Sequence, residues 1–154
     1  GGGGPAAPPE LSPAARAAIS AADVVLIAPS NPVVSIGRIL QVRGVADAVR
    51  DVDGPIVGVS PLIDGAAVRG MATECLRAIG VDVTAAAVAR HYGARRYGGL
   101  LDQWLVDTAD AVAIPGLHDA GIPTRAVPLL MRDAAAARRL AGHALTAVGV
   151  TGIV

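Results

Sequence analysis

The side chains best suited to holding a ligand gather where apolar runs stop. In "LIAPSNPVVSIGRIL", residues 26–40, a buried-looking run breaks into Pro29-Ser30-Asn31-Pro32 and resumes through Ser35-Ile36-Gly37. Ser30, Asn31 and Ser35 offer polar hydrogens, and the N–H groups entering a helix at Ile36 carry the positive partial charge that suits a phosphate. Pro29 and Pro32 stiffen the segment. On spacing alone a second account stands beside this one: Ser35 caps the helix and Asn31-Pro32 makes a turn. The segment is neither a Walker loop nor a GxGxxG fingerprint. The next apolar run ends in Ser60-Pro61, a smaller version of the same break, and Arg69-Gly70 follows near an expected helix start. A cation is poorly placed beside a helix N-terminus unless an anion shares the site, so Arg69 is a candidate phosphate contact as well as a candidate solvated arginine.

Other groups are less specific. "ARHYG", residues 89–93, closes a helix with a cation and two rings. Cations are favoured there without any function, so a helix-end role is the first account of Arg90 and His91, and ligand contact or proton transfer by His91 and Tyr92 the second. His118 and His143 have no partner at metal spacing. Asp102 and Asp107 bracket Trp104, where carboxylates could hold a metal or serve as strand-edge and turn groups. Cys75 is a lone thiol in an apolar helical pattern, which suits packing better than nucleophilic work. No nucleophile triad and no HExxH is present.

The elements that must position these groups alternate. Ser12-Pro13 predicts a cap and first turn for a helix over 14–22, and "DVVLIA", 23–28, a buried strand. Apolar spacing from 36 to 50 is broken at Arg43-Gly44 and predicts two short helices, followed by a strand at 55–60. A loop is expected at 61–68. A helix over 69–79 with Met71, Cys75, Leu76 and Ile79 on its apolar face should end at Gly80, and Thr84 should cap another reaching Tyr92. A loop at 93–99, strands at 101–107 and 124–128, and a helix from Asp133 to about Val148 with Leu140, Ala144 and Val148 inward complete the reading. Strands alternating with helices predict an α/β fold: a Rossmann-like three-layer domain with a mainly parallel sheet, expected to be incomplete at its N-terminal side because only about four strands are legible.

Composition narrows the function classes. The 154 residues suit one domain, and "GGGGPAAPPE" predicts a flexible Gly/Pro-rich leader over 1–11. All 13 basic residues are arginine, balanced by 13 acidic ones and scattered, so no basic stripe suggests nucleic acid. Although 53% of residues are hydrophobic, Pro, Gly or charge interrupts every apolar run before the ~20 residues a spanning helix needs. Neither a signal sequence nor a disulfide pair is legible, and the expected location is cytoplasmic.

Five blocks in order, "ADVVLIAPSNPVVSIGRIL", "VSPLIDGAAVRGMA", "VARHYG", "LLDQWLVD" and "VPLLMRD", resemble the C-terminal half of the 2-phospho-L-lactate transferase family of deazaflavin coenzyme F-420 biosynthesis. The arginine- and alanine-rich composition favours its actinobacterial phosphoenolpyruvate transferase branch. The resemblance covers 12–154 and implies the C-terminal part of an α/β transferase domain. It implies transfer of a 2-phospholactyl or phosphoenolpyruvyl group from a guanosine-diphosphate conjugate to the deazaflavin Fo, with release of GMP and with magnesium as cofactor. It also implies that Ser30, Asn31, Pro32, Ser35, Ile36 and Gly37 face the donor phosphates and that Arg69, Gly70, His91 and Tyr92 line the site, with Ser60 beside them. The family's glycine-rich first strand and its Asp-containing metal segment are not found in these residues, so the magnesium ligands are expected in an absent N-terminal half. No nucleic acid or membrane partner is expected, and a homodimer stays open. A non-catalytic regulator of the same fold, binding a nucleotide or nucleotide-sugar, is the alternative, and a truncated product without its own function is a third.

Overall fold

The computed structural model describes Gly4, residues 9–130 and residues 133–149. Most of the leader expected at 1–11 lies outside these residues. Its last part is docked: Leu11 N–H donates to the Arg43 carbonyl at 2.9 Å, and Glu10 forms an isolated parallel bridge with Arg43.

Helices α1 (Pro13–Ser20), α2 (Ile36–Gln41), α3 (Val45–Arg50), α4 (Ala72–Ala78), α5 (Ala85–Tyr92), α6 (Ile114–Asp119) and α7 (Ala134–Ala147) alternate with strands β1 (Val25–Ile27), β2 (Ile56–Val59), β3 (Leu62–Ile63), β4 (Ala66–Ala67), β5 (Gln103–Val106) and β6 (Thr124–Ala126). Four strands form one parallel sheet in the order β1-β2-β5-β6. Each crossover steps in the same direction, and right-handed crossovers then place their helices on one face. The core divides accordingly. Ile27, Ile56, Trp104 and Val106 pack with Val45, Val49, Leu76, Val88 and Leu117 in one cluster. Val57, Val59 and Leu105 point the other way, towards Leu140 and Ala144 of α7. This is the expected three-layer α/β arrangement with a parallel sheet.

Local chemistry explains most boundaries. Ser12, Thr84 and Asp133 cap α1, α5 and α7 by accepting from Ala15, Ala87 and Ala136 N–H groups. Gly80 ends α4 in a left-handed conformation: Val81 N–H reaches Leu76 O at 3.0 Å and Gly80 N–H reaches Arg77 O at 3.1 Å, the paired bonds of a Schellman end. The break between α2 and α3 falls at Gly44, where φ is +90°.

Three expectations are corrected. The loop at 61–68 contains a hairpin, β3 to β4, turned by Asp64 and Gly65, both at positive φ. Asp-Gly is the dipeptide a tight hairpin turn favours. Residues 108–119, assigned no element from sequence, form a 3-10 turn running into α6, because Pro115 sits in the first turn, where its missing N–H costs nothing. On α4 the inward face is Ala72 and Leu76, while Met71 is 64% exposed and Ile79 46%. Met71 caps the helix instead of lying within it, which rotates the apolar stripe; Cys75 is half-buried.

One transverse row runs Ile27, Gly58, Trp104, Thr124 across the sheet. A Cβ on Gly58 would lie 2.7 Å from the Trp104 ring and from Leu101 Cδ2, so the missing side chain is what admits a fully buried indole. Trp104 Nε1 is buried without a hydrogen-bond partner, a cost that the ring's packing offsets. Gly58→Ala is expected to destabilise the fold by about 1–3 kcal/mol through overpacking. A lowered urea midpoint with unchanged slope would show it, and an unchanged midpoint would contradict this packing account.

Candidate functional site

The carboxyl ends of β1 and β2 carry the site. After β1 the chain turns sharply, with Ser30 N–H on Ala28 O at 2.8 Å. Asn31 Oδ1 accepts from Val33 N–H at 2.9 Å and Val34 N–H at 3.2 Å, and the Asn31 carbonyl accepts from Ser35 and Ile36. Asn31 is thus an organiser of the loop. Pro32 is buried, and its carbonyl would lie 2.7 Å from any Cβ on Gly37. Glycine at 37 therefore lets α2 begin directly against the loop. Ser35 stands at the cap position of α2 without a side-chain cap bond.

A cavity of about 520 Å³ opens above these strand ends. It is lined by Ala28, Pro29 and Ser30 after β1, by Ser60 and Pro61 after β2, by Val68 and Arg69 beyond the hairpin, and by Leu129 and Leu130 beyond β6. The sheet order never reverses among the described strands, so the cavity lies over a carboxyl edge and not at a switch-point crevice.

Of the residues singled out from sequence, Ser30, Ser60 and Arg69 meet in this cavity. Their availability differs. Ser60 is buried, and its hydroxyl is engaged with its own turn, donating to Leu62 O and accepting from Leu62 N–H, both at 3.1 Å. Arg69 is exposed and forms no ion pair among the described residues. The Ser30 hydroxyl enters no hydrogen bond among the described residues, so Ser30 and Arg69 are the polar groups the cavity can offer. Asn31, Pro32 and Ser35 lie in the adjoining loop, Ile36 and Gly37 open α2 directly after it, and Gly70, at φ +66°, forms the bend into α4.

His91 and Tyr92 are brought elsewhere. Tyr92 is buried at the end of α5, edge-on to Trp104 with centroids 5.9 Å apart, and its carbonyl accepts from Leu100 N–H on the approach to β5. That is the amino end of the sheet, opposite the cavity. Burial raises the Tyr92 phenol pKa further, so it stays protonated far above neutral pH. His91 is exposed beside it.

The two aspartates around Trp104 also have structural work. Asp102 Oδ2 accepts from Ile56 N–H and from Arg95 Nη1, both at 2.8 Å. Arg95 in turn donates to the carbonyls of Arg50, Val52 and Gly54, which ties the end of α3 to the entry of β5. Asp107 accepts from Ala109 N–H at 2.9 Å and from Leu129 N–H at 3.0 Å. They occupy opposite ends of one strand, and no cluster of three or more His, Cys, Asp or Glu among the described residues could hold a metal. The described residues therefore do not fit a magnesium site. His118 Nε2 meets the Thr124 N–H at 3.0 Å and joins α6 to β6.

Sequence reasoning missed the apolar half of the cavity. "VPLL" follows an edge strand, and nothing local shows that Leu129 and Leu130 return across the end of β5 to the cavity that Ser30 and Arg69 also line.

In parallel α/β domains ligands bind beyond the carboxyl ends of the strands, which is where this cavity opens. Residues 4–119 match the 2-phospho-L-lactate transferase CofD family, and the chain belongs to that family. It is 53% identical over 135 residues to a phosphoenolpyruvate transferase of Streptomyces coelicolor, covering 88% of this chain and 41% of that protein. A phosphoenolpyruvate transferase of Mycobacterium avium is 55% identical over 135 residues, with coverage of 88% and 39%, and one of Nocardia farcinica 51% over 132 residues, with 86% and 38%. The chain thus spans about two fifths of the length of these relatives. The family resemblance, actinobacterial branch included, is borne out.

Asn31→Ala is expected to release the Val33 and Val34 amides, costing the loop about 0.5–2 kcal/mol as loss of a capping side chain does. Amide hydrogen exchange at 33 and 34 should quicken in Asn31→Ala and stay slow in Asn31→Asp, which keeps the acceptor. Equal rates in the two variants would show that Asn31 does not organise the loop.

Proposed function

We propose that this chain supplies the donor-phosphate side of a transferase site in coenzyme F-420 biosynthesis. The reaction moves a 2-phospholactyl or phosphoenolpyruvyl group from a guanosine-diphosphate conjugate to the deazaflavin Fo. The single observation that carries the reading is the cavity at the strand ends, which Arg69 and Ser30 line together with the apolar residues Val68, Leu129 and Leu130. A cation and a hydroxyl opposite an apolar wall suit a phosphorylated group that also carries apolar or ring atoms. Family membership and the transferase relatives supply the reaction class.

In this reading the ribityl hydroxyl oxygen of Fo forms a bond to the donor phosphorus bearing the lactyl or enolpyruvyl group. The bond from that phosphorus to the bridging oxygen breaks, GMP leaves with the electron pair, and the hydroxyl proton passes to solvent. Arg69 offsets charge on the phosphoryl oxygens and Ser30 orients them, so the contribution is positioning and electrostatic. The loop from Asn31 to Ser35, with Ile36 and Gly37 opening α2 against it, holds Ser30 in place, and Ser60 and Gly70 shape the strand ends. The proposal leaves magnesium to ligands outside the described residues and assigns the reaction to the cytoplasm.

One observation favours a second reading, a nucleotide or nucleotide-sugar binding regulator. Arg69 is the only ionisable residue that lines the cavity among the described residues, and an arginine is no general base. Calorimetric titration with GMP, GDP and a UDP-sugar separates the two: selective uptake of the UDP-sugar favours the regulator.

The transferase reading is tested by incubating the chain with Fo, the guanylated donor and magnesium, alone and with the remaining part of a full-length relative supplied in trans. GMP and the phosphorylated deazaflavin are expected in the complemented mixture. Arg69→Ala should lower the rate about 10- to 100-fold, the loss expected for a hydrogen bond to a charged group. No product from a folded, complemented chain would overturn the proposal.

A further inference from the structure

Two carboxylates just beyond β5 hold two different segments that lead into the cavity lining, although neither lines it. β6 lies two strands away from β2, so Leu129 and Leu130 reach the cavity only by crossing back over the end of β5. Val127 N–H first pairs with Val106 O at 2.9 Å, and Asp107 Oδ1 then receives Leu129 N–H at 3.0 Å in a buried contact. The other oxygen of Asp107 is anchored by Ala109 N–H at 2.9 Å, so the carboxylate is held from its own turn while it holds the crossing segment. Three residues on, Asp110 Oδ2 accepts from Asp64 N–H at 3.1 Å. Asp64 is in the turn of the β3–β4 hairpin, whose return arm leads directly to Val68 and Arg69. One short turn, 107–110, is therefore bonded both to the apolar wall and to the arm bearing the cation.

We propose that Asp107 is a positioning residue that sets the gap between the Leu129–Leu130 wall and Arg69, with Asp110 steadying the Arg69 arm. The gap selects ligands whose anionic group and apolar portion are separated by the matching distance. This rests on the cavity being the ligand site. It differs from a purely structural role because the apolar wall and the cation hang on different carboxylates, so disturbing one should change only the part of a ligand that the corresponding wall touches.

Phenyl phosphate, which meets both the polar groups and the apolar wall, and inorganic phosphate, which meets only Arg69 and Ser30, serve as probes, with binding followed by titration calorimetry. Asp107→Asn retains the shape but has one acceptor for two N–H groups. It should weaken phenyl phosphate about tenfold while inorganic phosphate changes less than about twofold. Asp110→Ala should weaken both probes together, because Arg69 itself shifts. Amide exchange at Leu129 should accelerate at least about tenfold in Asp107→Asn and not in Asp110→Ala. Equal losses for the two probes in a folded Asp107→Asn, or unchanged Leu129 exchange, would overturn the proposal. If Asp107→Asn does not fold, the Asp110→Ala titrations decide, and unchanged binding of both probes counts against it. Failure of the unaltered chain to bind either probe, or phosphate binding that survives Arg69→Ala, would instead sink the cavity reading, and Leu129 exchange would still decide the tether.

Discussion

An indole has to pass where a side chain would ordinarily stand, and the sheet is built around that requirement. Gly58 lies between Ile27 and Trp104 in one transverse row, and its bare Cα leaves the space that the fully buried Trp104 ring fills. The ring then reaches Tyr92 on α5, while the other face of the same two strands presents Val57, Val59 and Leu105 to α7. Strands buried on both faces need apolar residues on both, which is why β2 and β5 read as near-continuous hydrophobic runs. A bulky residue at 58 would separate the helical layer from the sheet and disturb every loop emerging from it.

The two ends of that sheet are finished differently. At the amino end Arg95 gathers three carbonyls and the Asp102 carboxylate, and Asp102 also takes the first N–H of β2. Polar groups there are mutually satisfied, a closed arrangement that suits support more than binding. At the carboxyl end the Ser60 and Asn31 side chains bond within their own turns, while Ser30 and Arg69 line the cavity. The division explains how residues of similar chemistry can have opposite uses within one strand length of each other.

Family membership is secure for a chain that covers about two fifths of its relatives. These residues bring a cation, a hydroxyl residue and apolar residues to the lining of one cavity, without a metal cluster among the described residues. Under the proposed function, that inventory would serve phosphate positioning. No helix among the described residues is long and apolar enough to cross a membrane.

Sequence by itself determined what depends on neighbours a few residues apart. The caps Ser12, Thr84 and Asp133, the Gly80 helix end, the break at Gly44 and the buried runs of β2 and β5 all follow from local hydrogen bonding and periodicity. The Asp64-Gly65 hairpin was legible in principle, since its turn chemistry is local, and α6 was obscured by Pro115-Gly116. The carboxyl-edge location of Ser30 and Ser60 could likewise be argued from strand direction. Tertiary structure alone decided the rest. It separated His91 and Tyr92 from the cavity, consumed the Ser60 hydroxyl, and brought Leu129 to Asp107 across 22 residues of chain. Those outcomes depend on strand order and on which donors are already satisfied, and neither is encoded in the spacing of residues along the chain.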